Sequence, residues 1–475
     1  MRALFAAAAF ALLAACRPHQ PKNLFDPPLE RARIWVTTGD GAKLLNEEPS
    51  TLLFSRTPDS APLVIHVDPA NRYQQMIGWG GAMTDASASL MRNSMTPQTR
   101  AALLADLFSR EKGIGFSFVR VPMGASDFSS RHYSYDDVPS GQTDSALTRF
   151  SIDVDKTDKL PLLRQAIALN PAIVVVGSPW SAPAWMKTTA SLVKGTLREQ
   201  YYDSFALYFV KFIEAYAREG VRVGAVTMQN EPNFEPENYP GMRLEAPQRG
   251  KVIGEHVGPA FRRAGLSTQI WDWDHNWDVP ESPLTVLADS AATQFVQGVA
   301  WHCYGGDVSA QGKVRDAHPE KDVYFTECSG GDWAPKFADN LKWTVANLVI
   351  GTTRNWARAV AMWNLALDEN HGPHLGGCDN CRGIVTINSK TGAVTRNVEY
   401  YAFAHASKFV PPGAYRIASS EPSGLPNVAF RNPDGSLVLI VLNSAAKAQE
   451  ITVRDDLSSF SYSIPAEAVA TFVWR

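Results

Sequence analysis

Two glutamates each follow a short run of β-branched and aromatic residues and lead into turn-forming residues: Glu231 within Val226–Pro232 and Glu327 within Val323–Ser329. Such runs predict strands, so both carboxyl groups should be delivered at strand ends. Two carboxyls that flank one sugar bond are the machinery of glycoside cleavage, one acting as acid and base and the other as nucleophile. Because the pair lies 96 residues apart, we expect two strands of one barrel with other units between them.

Glu231 is the predicted acid/base and Glu327 the predicted nucleophile. Arg120 and Tyr304, on other predicted strands, would donate to Glu327 and keep it ionised. We expect the charge on Glu327 to raise the pKa of Glu231, so that Glu231 holds a proton. Retention and inversion both remain open, because they differ in a carboxyl gap of roughly 5 Å against roughly 6.5 Å or more, which a sequence does not measure.

Polar and aromatic residues stand at or just after the predicted strand ends, where a barrel enzyme builds its site. Those assigned to substrate binding are Asp85, Trp180, Asn230, His302, Tyr304, Trp363 and Asn364. Asn230 would bond a sugar 2-hydroxyl, Asp85 would hold other hydroxyls, and the two tryptophans would wall the ring. Alternatives are a helix N-cap for Asp85, core packing for each tryptophan and a structural ion pair for Arg120.

Eight strand-like runs alternate with helical patterns from residue 76 onwards. The runs are Met76–Gly81, Phe116–Pro122, Ile173–Ser178, Val223–Gln229, Thr268–Asp274, Gly298–Tyr304, Asp322–Thr326 and Ala359–Asn364. This alternation predicts an α/β fold, a (β/α)8 TIM barrel. Residues 23–75 and 410–475 instead hold short alternating runs, with an Asp-Gly hairpin signal at 434–435. We expect the two ends to pair into one side β-sandwich.

The first residues predict export. One arginine, an apolar run of about a dozen residues and Leu13–Cys16 resemble a bacterial lipoprotein signal, with Cys16 as the lipidated residue and residues 17–22 as a tether. An ordinary signal peptide is the alternative. The formal net charge of −3 gives no indication of a nucleic-acid partner. We therefore expect a protein anchored in the periplasm or at the outer membrane.

Four further cysteines follow the predicted anchor. Cys378 and Cys381 form a CxxC, for which a loop-bracing disulfide is our prediction; zinc binding with His371 and His374 and a redox site are the alternatives. Cys303 and Cys328 each adjoin a candidate site residue. Because neighbouring strand residues point to opposite faces, we expect these two to be buried free thiols facing the helix layer.

Several segments together resemble glycoside hydrolase family 30, in its glucosylceramidase-like branch. They are Gly78–Ala86, Gly113–Gly115, Val119–Met123, Ser178–Lys187, Tyr208–Phe212, Asn230–Pro232, Trp363–Leu367, Ser407–Pro411 and Asn432–Ser436. The resemblance implies a barrel with a β-sandwich built from both termini, and retaining hydrolysis by Glu231 and Glu327. It also implies sugar contacts at Asp85, Trp180, Asn230, Tyr304 and Trp363. The loop 371–383 departs from the lysosomal enzyme and resembles bacterial and fungal members, including endo-β-1,6-glucanases.

Our leading hypothesis is a membrane-tethered retaining β-glucosidase that is glucosylceramidase-like. An endo-β-1,6-glucanase on the same fold is the alternative, and a non-catalytic glycan-binding lipoprotein is the alternative of another class. The predicted division is 1–22 for signal and tether, 23–75 with 408–475 for the sandwich, and 76–407 for the barrel. No metal or organic cofactor is expected; the aglycone and oligomeric state stay open.

Overall fold

The computed structural model describes residues 31–55, 63–455 and 458–475. The predicted signal peptide, the lipidation at Cys16 and the tether lie outside these residues. Within them, no helix combines the length and apolar character that crossing a membrane requires.

Eight parallel strands close into a barrel, as the alternation predicts. In chain order, the first to eighth barrel strands are Gly78–Ala82, Phe118–Pro122, Val174–Ser178, Val223–Thr227, Gln269–Asn276, Val296–His302, Asp322–Glu327 and Ala357–Asn364. The barrel is filled by a layer of side chains that includes the stacked rings of Trp271 and Tyr324, whose centroids lie 3.5 Å apart. The lower barrel is therefore packed, and a ligand has room only at a mouth.

Helices surround the barrel and pack their apolar faces on it. They are Asp85–Asn93, Pro97–Phe108, Asp153–Thr157, Lys159–Leu169, Tyr202–Arg218, Ala246–Lys251, Gly258–Arg263, Glu281–Ala288, Ser290–Thr293, Ser309–Ala317, Phe337–Thr344, Thr352–Arg354 and Val398–Ser407, with π-helical turns at Val252–Val257 and Val345–Gly351 and 3₁₀ turns at Ala184–Met186 and Glu199–Tyr201. Thr96 caps the second helix by accepting from the Thr99 amide, and Pro97 takes its first position, as predicted. Phe205, Phe209 and Phe212 are buried along one face of Tyr202–Arg218.

A second sheet combines strands from both ends of the chain, which confirms the predicted side domain. Its strands are Arg31–Thr38, Asn46–Glu47, Leu52–Leu53, Leu63–Gln75, Tyr415–Ser419, Asn427–Arg431, Leu437–Asn443, Gln449–Asp455, Ser458–Ile464 and Ala468–Trp474. The last strand pairs antiparallel with both Arg31–Thr38 and Leu437–Asn443. The bridge Ser55–Ser459 brings the two ends of the sheet together around an aromatic core. Asn427–Arg431 and Leu437–Asn443 form the predicted hairpin.

Three short pairings complete the described structure. Gly330–Gly331 pairs with Cys381–Arg382. Ala366–Leu367, Val385–Ile387 and Val394–Arg396 make a small sheet of their own. These pairings hold the segments that follow the seventh and eighth barrel strands at the carboxyl end of the barrel.

Candidate active site

The two glutamates meet at the carboxyl end of the barrel. Glu327 ends the seventh barrel strand, and Glu231 follows the fourth. Carboxyl oxygens of the two residues and a nitrogen of His302 lie within 4.8 Å of one another. Inverting enzymes need a carboxyl gap of about 6.5–9.5 Å to admit a water molecule, whereas retaining enzymes need about 5–5.5 Å. The arrangement therefore fits direct attack by one carboxylate.

Glu231 is held in a backbone conformation that L-residues rarely adopt, with φ of 49°. Its amide donates to the Asp274 carbonyl over 3.0 Å, and its carbonyl accepts from the Phe234 amide over 2.9 Å. Such a conformation costs on the order of 1–3 kcal/mol and persists where surrounding contacts enforce it. The link between the fourth and fifth strand ends supplies that enforcement and aims the carboxyl group inward.

Glu327 is buried and is held by donors from the second strand and from the segment just after the sixth strand. Arg120 Nη1 donates to its Oε2 over 2.5 Å, and Tyr304 Oη donates to its Oε1 over 3.0 Å. Both contacts are the donor contacts predicted for Arg120 and Tyr304, and the predicted ionisation of Glu327 stays a prediction. Burial raises the pKa of Glu327, while the positive charges of His302 and Arg120 oppose that rise. The donors keep an oxygen of Glu327 oriented towards the position of a bound sugar.

Glu231 is surrounded by histidines, and its pKa shifts opposite to our expectation. His302 Nδ1 lies 3.2 Å and His275 Nε2 lies 3.9 Å from its Oε1. Burial favours the neutral acid, but the His302 hydrogen bond and the nearby positive charges outweigh it and lower the pKa of Glu231. The prediction that the charge on Glu327 raises this pKa is wrong, because the histidines, which it did not consider, contribute more.

Asp274 is the buried hub beneath both glutamates; the sequence places it at the end of the predicted fifth strand Thr268–Asp274 but assigns it no role. It accepts from Arg120 Nη2 over 2.7 Å and from His302 Nε2 over 3.0 Å. Three hydroxyls also donate to it, each over 2.6 Å: those of Ser178, Thr227 and Thr326. Although burial opposes its charge, Arg120 and His302 hold the pKa of Asp274 well below its usual range. Asp274 thus connects the residue behind Glu327 to the residue behind Glu231.

His302 bridges two carboxylates, which favours its charged form. Burial works against the charge, but Glu327, Asp274 and Glu231 together raise the pKa of His302 to about 9. An imidazolium at neutral pH has no lone pair for a metal ion. The three donors Glu231, His302 and Glu327 lie close enough to surround a cation, yet with both nitrogens of His302 bound to carboxylates they do not form a ligand set.

A cavity of about 620 Å³ opens over the two glutamates. Side chains from strand ends and from the loops after them line it, including Asp127, Phe234, Tyr239, His275, Tyr304, Trp333 and Trp363. Asp127 is an additional acidic group there. Burial and the charges of Glu327 and Glu231 raise the pKa of Asp127 to about 8. At neutral pH its carboxyl group is therefore mostly protonated and able to donate to a hydroxyl. In the sequence, Asp127 could have been found as a candidate site residue from its place in the segment that follows Val119–Met123.

Of the predicted substrate-binding residues, Tyr304 and Trp363 line this cavity. Trp180 stacks on Trp363 with ring centroids 4.8 Å apart, and both rings face the Arg120 guanidinium. Asn230 accepts from Arg120 Nη2 over 2.7 Å. Trp180, Asn230 and the buried His302 therefore support the cavity wall from behind.

Asp85 and Asn364 are engaged elsewhere. Asp85 accepts from Lys159 over 2.9 Å and from the hydroxyls of Tyr133 and Ser129. It does not line the cavity, and Thr84, not Asp85, caps the helix Asp85–Asn93. Asn364 is buried and accepts from the Thr84 hydroxyl over 2.7 Å. The structure shows Asp85 as the ion-pair partner of Lys159 with its side chain still 21% exposed, and its sugar contact stays a prediction.

The cysteines adjoining the site form a disulfide, Cys303–Cys328, so the prediction of two free thiols is wrong. His302 stands opposite Glu327 in the pairing of the sixth and seventh strands. The next residue of each strand therefore points to the same outer side, and the two Cα atoms lie 5.4 Å apart. That shared offset from two predicted site residues was the signal that sequence reasoning missed.

Cys378 and Cys381 form a second disulfide in the loop that borders the cavity. Gly377 packs so closely on Asp127 that an added Cβ would lie 2.4 Å from the Asp127 Cβ. Its φ of 69° is also one that glycine tolerates best. The loop therefore forms part of the cavity wall at Asp127.

Comparison with known proteins agrees with this architecture. Residues 76–410 match the model of the glycosyl hydrolase family 30 TIM-barrel domain, and residues 413–472 match that of the family 30 beta sandwich domain. The endo-1,6-beta-D-glucanase of Neurospora crassa is 36% identical over 456 residues, covering 91% of this chain and 93% of that protein.

Two further relatives bear on the site. The lysosomal acid glucosylceramidase of Mus musculus is 31% identical over 445 residues, covering 87% of this chain and 84% of that protein. The solved structure of the endo-beta1,6-glucanase BT3312 is 34% identical, with a TM-score of 0.86, covering 94% of this chain and 99% of that one.

Proposed function

Because the chain belongs to glycosyl hydrolase family 30, we propose that it cleaves internal bonds of a β-1,6-linked glucan with retention of configuration. Membership makes it a glycoside hydrolase. The observation that carries retention is the approach of the Glu231 and Glu327 carboxyl oxygens to within 4.8 Å. In this proposal Glu327 is the nucleophile and Glu231 the acid and base.

Two kinds of evidence support the glucan over our leading hypothesis of a glucosylceramide-like substrate. The relatives named as endo-1,6-glucanases are more similar to this chain than the named glucosylceramidase, at 36% and 34% against 31% identity. The loop 371–383 also resembles the bacterial and fungal members. A terminal β-glucoside, including a glucosylceramide, is the second candidate, since the catalytic residues serve either leaving group.

The first chemical step follows from the geometry. Glu327 attacks the anomeric carbon while Glu231 gives its proton to the departing glycosidic oxygen, which yields a glycosyl ester on Glu327 and a free chain end. Arg120 and Tyr304 hold the attacking carboxylate. In the second step Glu231 takes a proton from water, the water oxygen attacks the anomeric carbon, and Glu327 departs as carboxylate.

The acid proton belongs to the pair formed by Glu231 and His302. Glu231 has a lowered pKa and His302 a raised one, and their atoms lie 3.2 Å apart. Strongly interacting groups titrate as a unit. His302 therefore stores the proton at neutral pH and passes it to Glu231 as the leaving oxygen develops negative charge.

Product analysis tests the substrate and the stereochemistry together. Incubation with β-1,6-glucan should release oligosaccharides first, and proton NMR should detect the new reducing ends as β-anomers before they mutarotate. Glucose as the only early product would contradict endo cleavage. α-Anomers first would contradict retention, and cleavage of glucosylceramide alone would favour the second candidate.

Trapping of the intermediate tests the residue assignment. A 2-deoxy-2-fluoro-β-glucosyl fluoride should label Glu327, as read by peptide mass mapping, because the fluorine slows breakdown of the ester. Glu327→Gln is the matched control and should stay unlabelled while folded. A label on any other residue would overturn the assignment of the nucleophile.

We also propose that the enzyme reaches its substrate as an exported lipoprotein attached through Cys16. The support is the signal pattern at 1–16 and the two disulfides, which form in oxidising compartments. Cells fed a tagged fatty acid should label the wild-type chain and leave Cys16→Ser unlabelled. Equal labelling of the two proteins would contradict the anchor.

A further inference from the structure

A second cavity adjoins the catalytic one at Tyr304 and Trp333, which line both. It has a volume of about 470 Å³ and extends to Trp343, Met362 and the disulfide Cys303–Cys328. The second cavity therefore lies beside the space over the two glutamates, with Tyr304 and Trp333 at the boundary. We refer to this second cavity as the Trp343 groove.

The exposed aromatic rings of the described residues are concentrated around these two cavities. Four such side chains are exposed by more than a third: Phe234 at 46%, Tyr304 at 47%, Trp333 at 54% and Trp343 at 44%. The first three border the catalytic cavity, and Trp343 borders the groove. A cluster of large exposed apolar rings at one place usually marks a binding surface.

The chain is built to hold Trp333 over this boundary. An added Cβ at Gly331 would lie 2.0 Å from the Trp333 ring, so the ring packs directly against glycine backbone. Gly330–Gly331 is in turn fixed by its pairing with Cys381–Arg382. The ring is therefore supported from below while most of its surface stays open to solvent.

Polar groups complete the lining. Ser329, Asp339 and Asn340 border the groove beside the rings. The Ser329 hydroxyl lies at hydrogen-bonding distance of the Tyr304 hydroxyl, which lines both cavities. Flat rings for the apolar C–H face of a sugar, with polar groups for its hydroxyls, fit a glucosyl unit better than a lipid chain.

We propose that the Trp343 groove binds glucosyl units of the chain beyond those that flank the cleaved bond. This inference rests on the proposed function, since it assigns a further part of the same substrate. It makes Trp343 a residue that determines preference for long chains. The cleavage rate should therefore rise with chain length until the groove is filled.

The test compares β-1,6-linked glucose oligosaccharides from the disaccharide to the hexasaccharide. In wild type, kcat/KM should rise with length. In Trp343→Ala, the ratio of kcat/KM for the hexasaccharide to that for the disaccharide should fall about threefold to tenfold, the effect of losing one aromatic contact. Leu169→Ala is the control, because Leu169 is also an exposed apolar residue, at 40%, and borders neither cavity.

The outcomes separate the two proposals. An unchanged length ratio in Trp343→Ala, or the same fall in Leu169→Ala, overturns the groove assignment and leaves the proposed function intact. No cleavage of any β-1,6-linked oligosaccharide by wild type overturns the proposed function itself. Loss in Trp343→Ala of glucosylceramide cleavage alone, with glucan lengths unaffected, assigns the groove to a lipid chain and overturns our proposal.

Discussion

Asp274 holds together two residues that act on different glutamates. It ion-pairs with Arg120, which donates to Glu327, and with His302, which donates to Glu231. Removing one member of a buried charge network leaves the others unpaired at a cost of about 3–5 kcal/mol. A single carboxylate therefore determines the geometry of both catalytic groups without touching either.

Asp274→Asn should lower the free energy of unfolding by about 3–5 kcal/mol. It should also lower kcat by a larger factor than it changes KM. The physical reason is that Arg120 and His302 lose their shared counter-charge. Urea unfolding and steady-state kinetics measure both effects. Asp278→Asn, an exposed aspartate in the following turn, is the control. A fully active Asp274→Asn would show that the hub is dispensable.

Glu231→Gln and Glu327→Gln should differ in their response to the leaving group. Glu231→Gln should lose about 10²–10⁴ in kcat/KM on glucan, because a poor leaving group needs the proton. It should keep most of this value on an aryl glucoside with an acidic phenol. Glu327→Gln should lose activity on both substrates. Equal losses for Glu231→Gln on the two substrates would argue against its role as the acid.

At the scale of elements, the fifth barrel strand explains why the sequence assigns Asp274 no role in the site. Trp271 fills the barrel interior, and Asp272 ion-pairs outside with Arg249. Simple alternation would then turn Trp273 inward and Asp274 outward. Instead the strand has an irregular register near residue 274, with φ of 75° at Trp273 and 59° at Asp274. This bulge turns Asp274 into the barrel.

Regular strands and irregular loops also differ in how far the sequence predicts the position of their residues. Arg120 and Glu327 lie in barrel strands, and Glu231 and Tyr304 lie within four residues of a strand end, so period and spacing were enough to bring them together. Asp127 and Trp333 lie in irregular segments after the second and seventh strands, and their place depends on loop packing at Gly377 and Gly331. Loop conformations have no periodicity, so a single sequence indicates their chemistry but not their position.

The disulfide Cys303–Cys328 ties the ends of the two strands that carry His302 and Glu327. Its partners are separated by 25 residues, against 3 for Cys378–Cys381. Loop-closure entropy then predicts a stabilisation of about 3.5 kcal/mol for the first bond and about 1.5 kcal/mol for the second.

The double variant Cys303→Ser/Cys328→Ser should therefore lose more stability in urea than Cys378→Ser/Cys381→Ser. It should also lose kcat, because the strand ends beside Glu327 are no longer linked. The second double variant is the matched control for serine substitution itself. A larger loss of stability in that control would contradict the entropic account.

At the scale of the whole molecule, His405 joins the barrel to the side sheet. It lies in the helix Val398–Ser407, and its nitrogens lie 2.8 Å from the Thr37 hydroxyl and 2.8 Å from the Thr471 hydroxyl. Those threonines belong to the first and last strands of the sheet. Burial lowers the pKa of His405 to about 3, so the ring is neutral where it binds both strands.

Stability should therefore fall as the pH drops from about 6.5 towards 3. In that window the unfolded chain protonates the histidine and the folded chain does not, so protons favour unfolding. At pH 4.5 the effect is about 2.7 kcal/mol at most. His405→Gln should flatten the decline of Tm between pH 6.5 and 4.5, whereas the exposed His66→Gln should not. An identical decline in all three proteins would exclude His405 as the cause.

The strand Ala468–Trp474 lies between Arg31–Thr38 and Leu437–Asn443 in the middle of the sheet. During synthesis, the strand Arg31–Thr38 is therefore made more than 400 residues before Ala468–Trp474, with which it pairs. Domains complete folding as units when their last element emerges. A nascent chain thus has no finished side sheet until its synthesis is nearly over, although the residues of the whole barrel have been made by then.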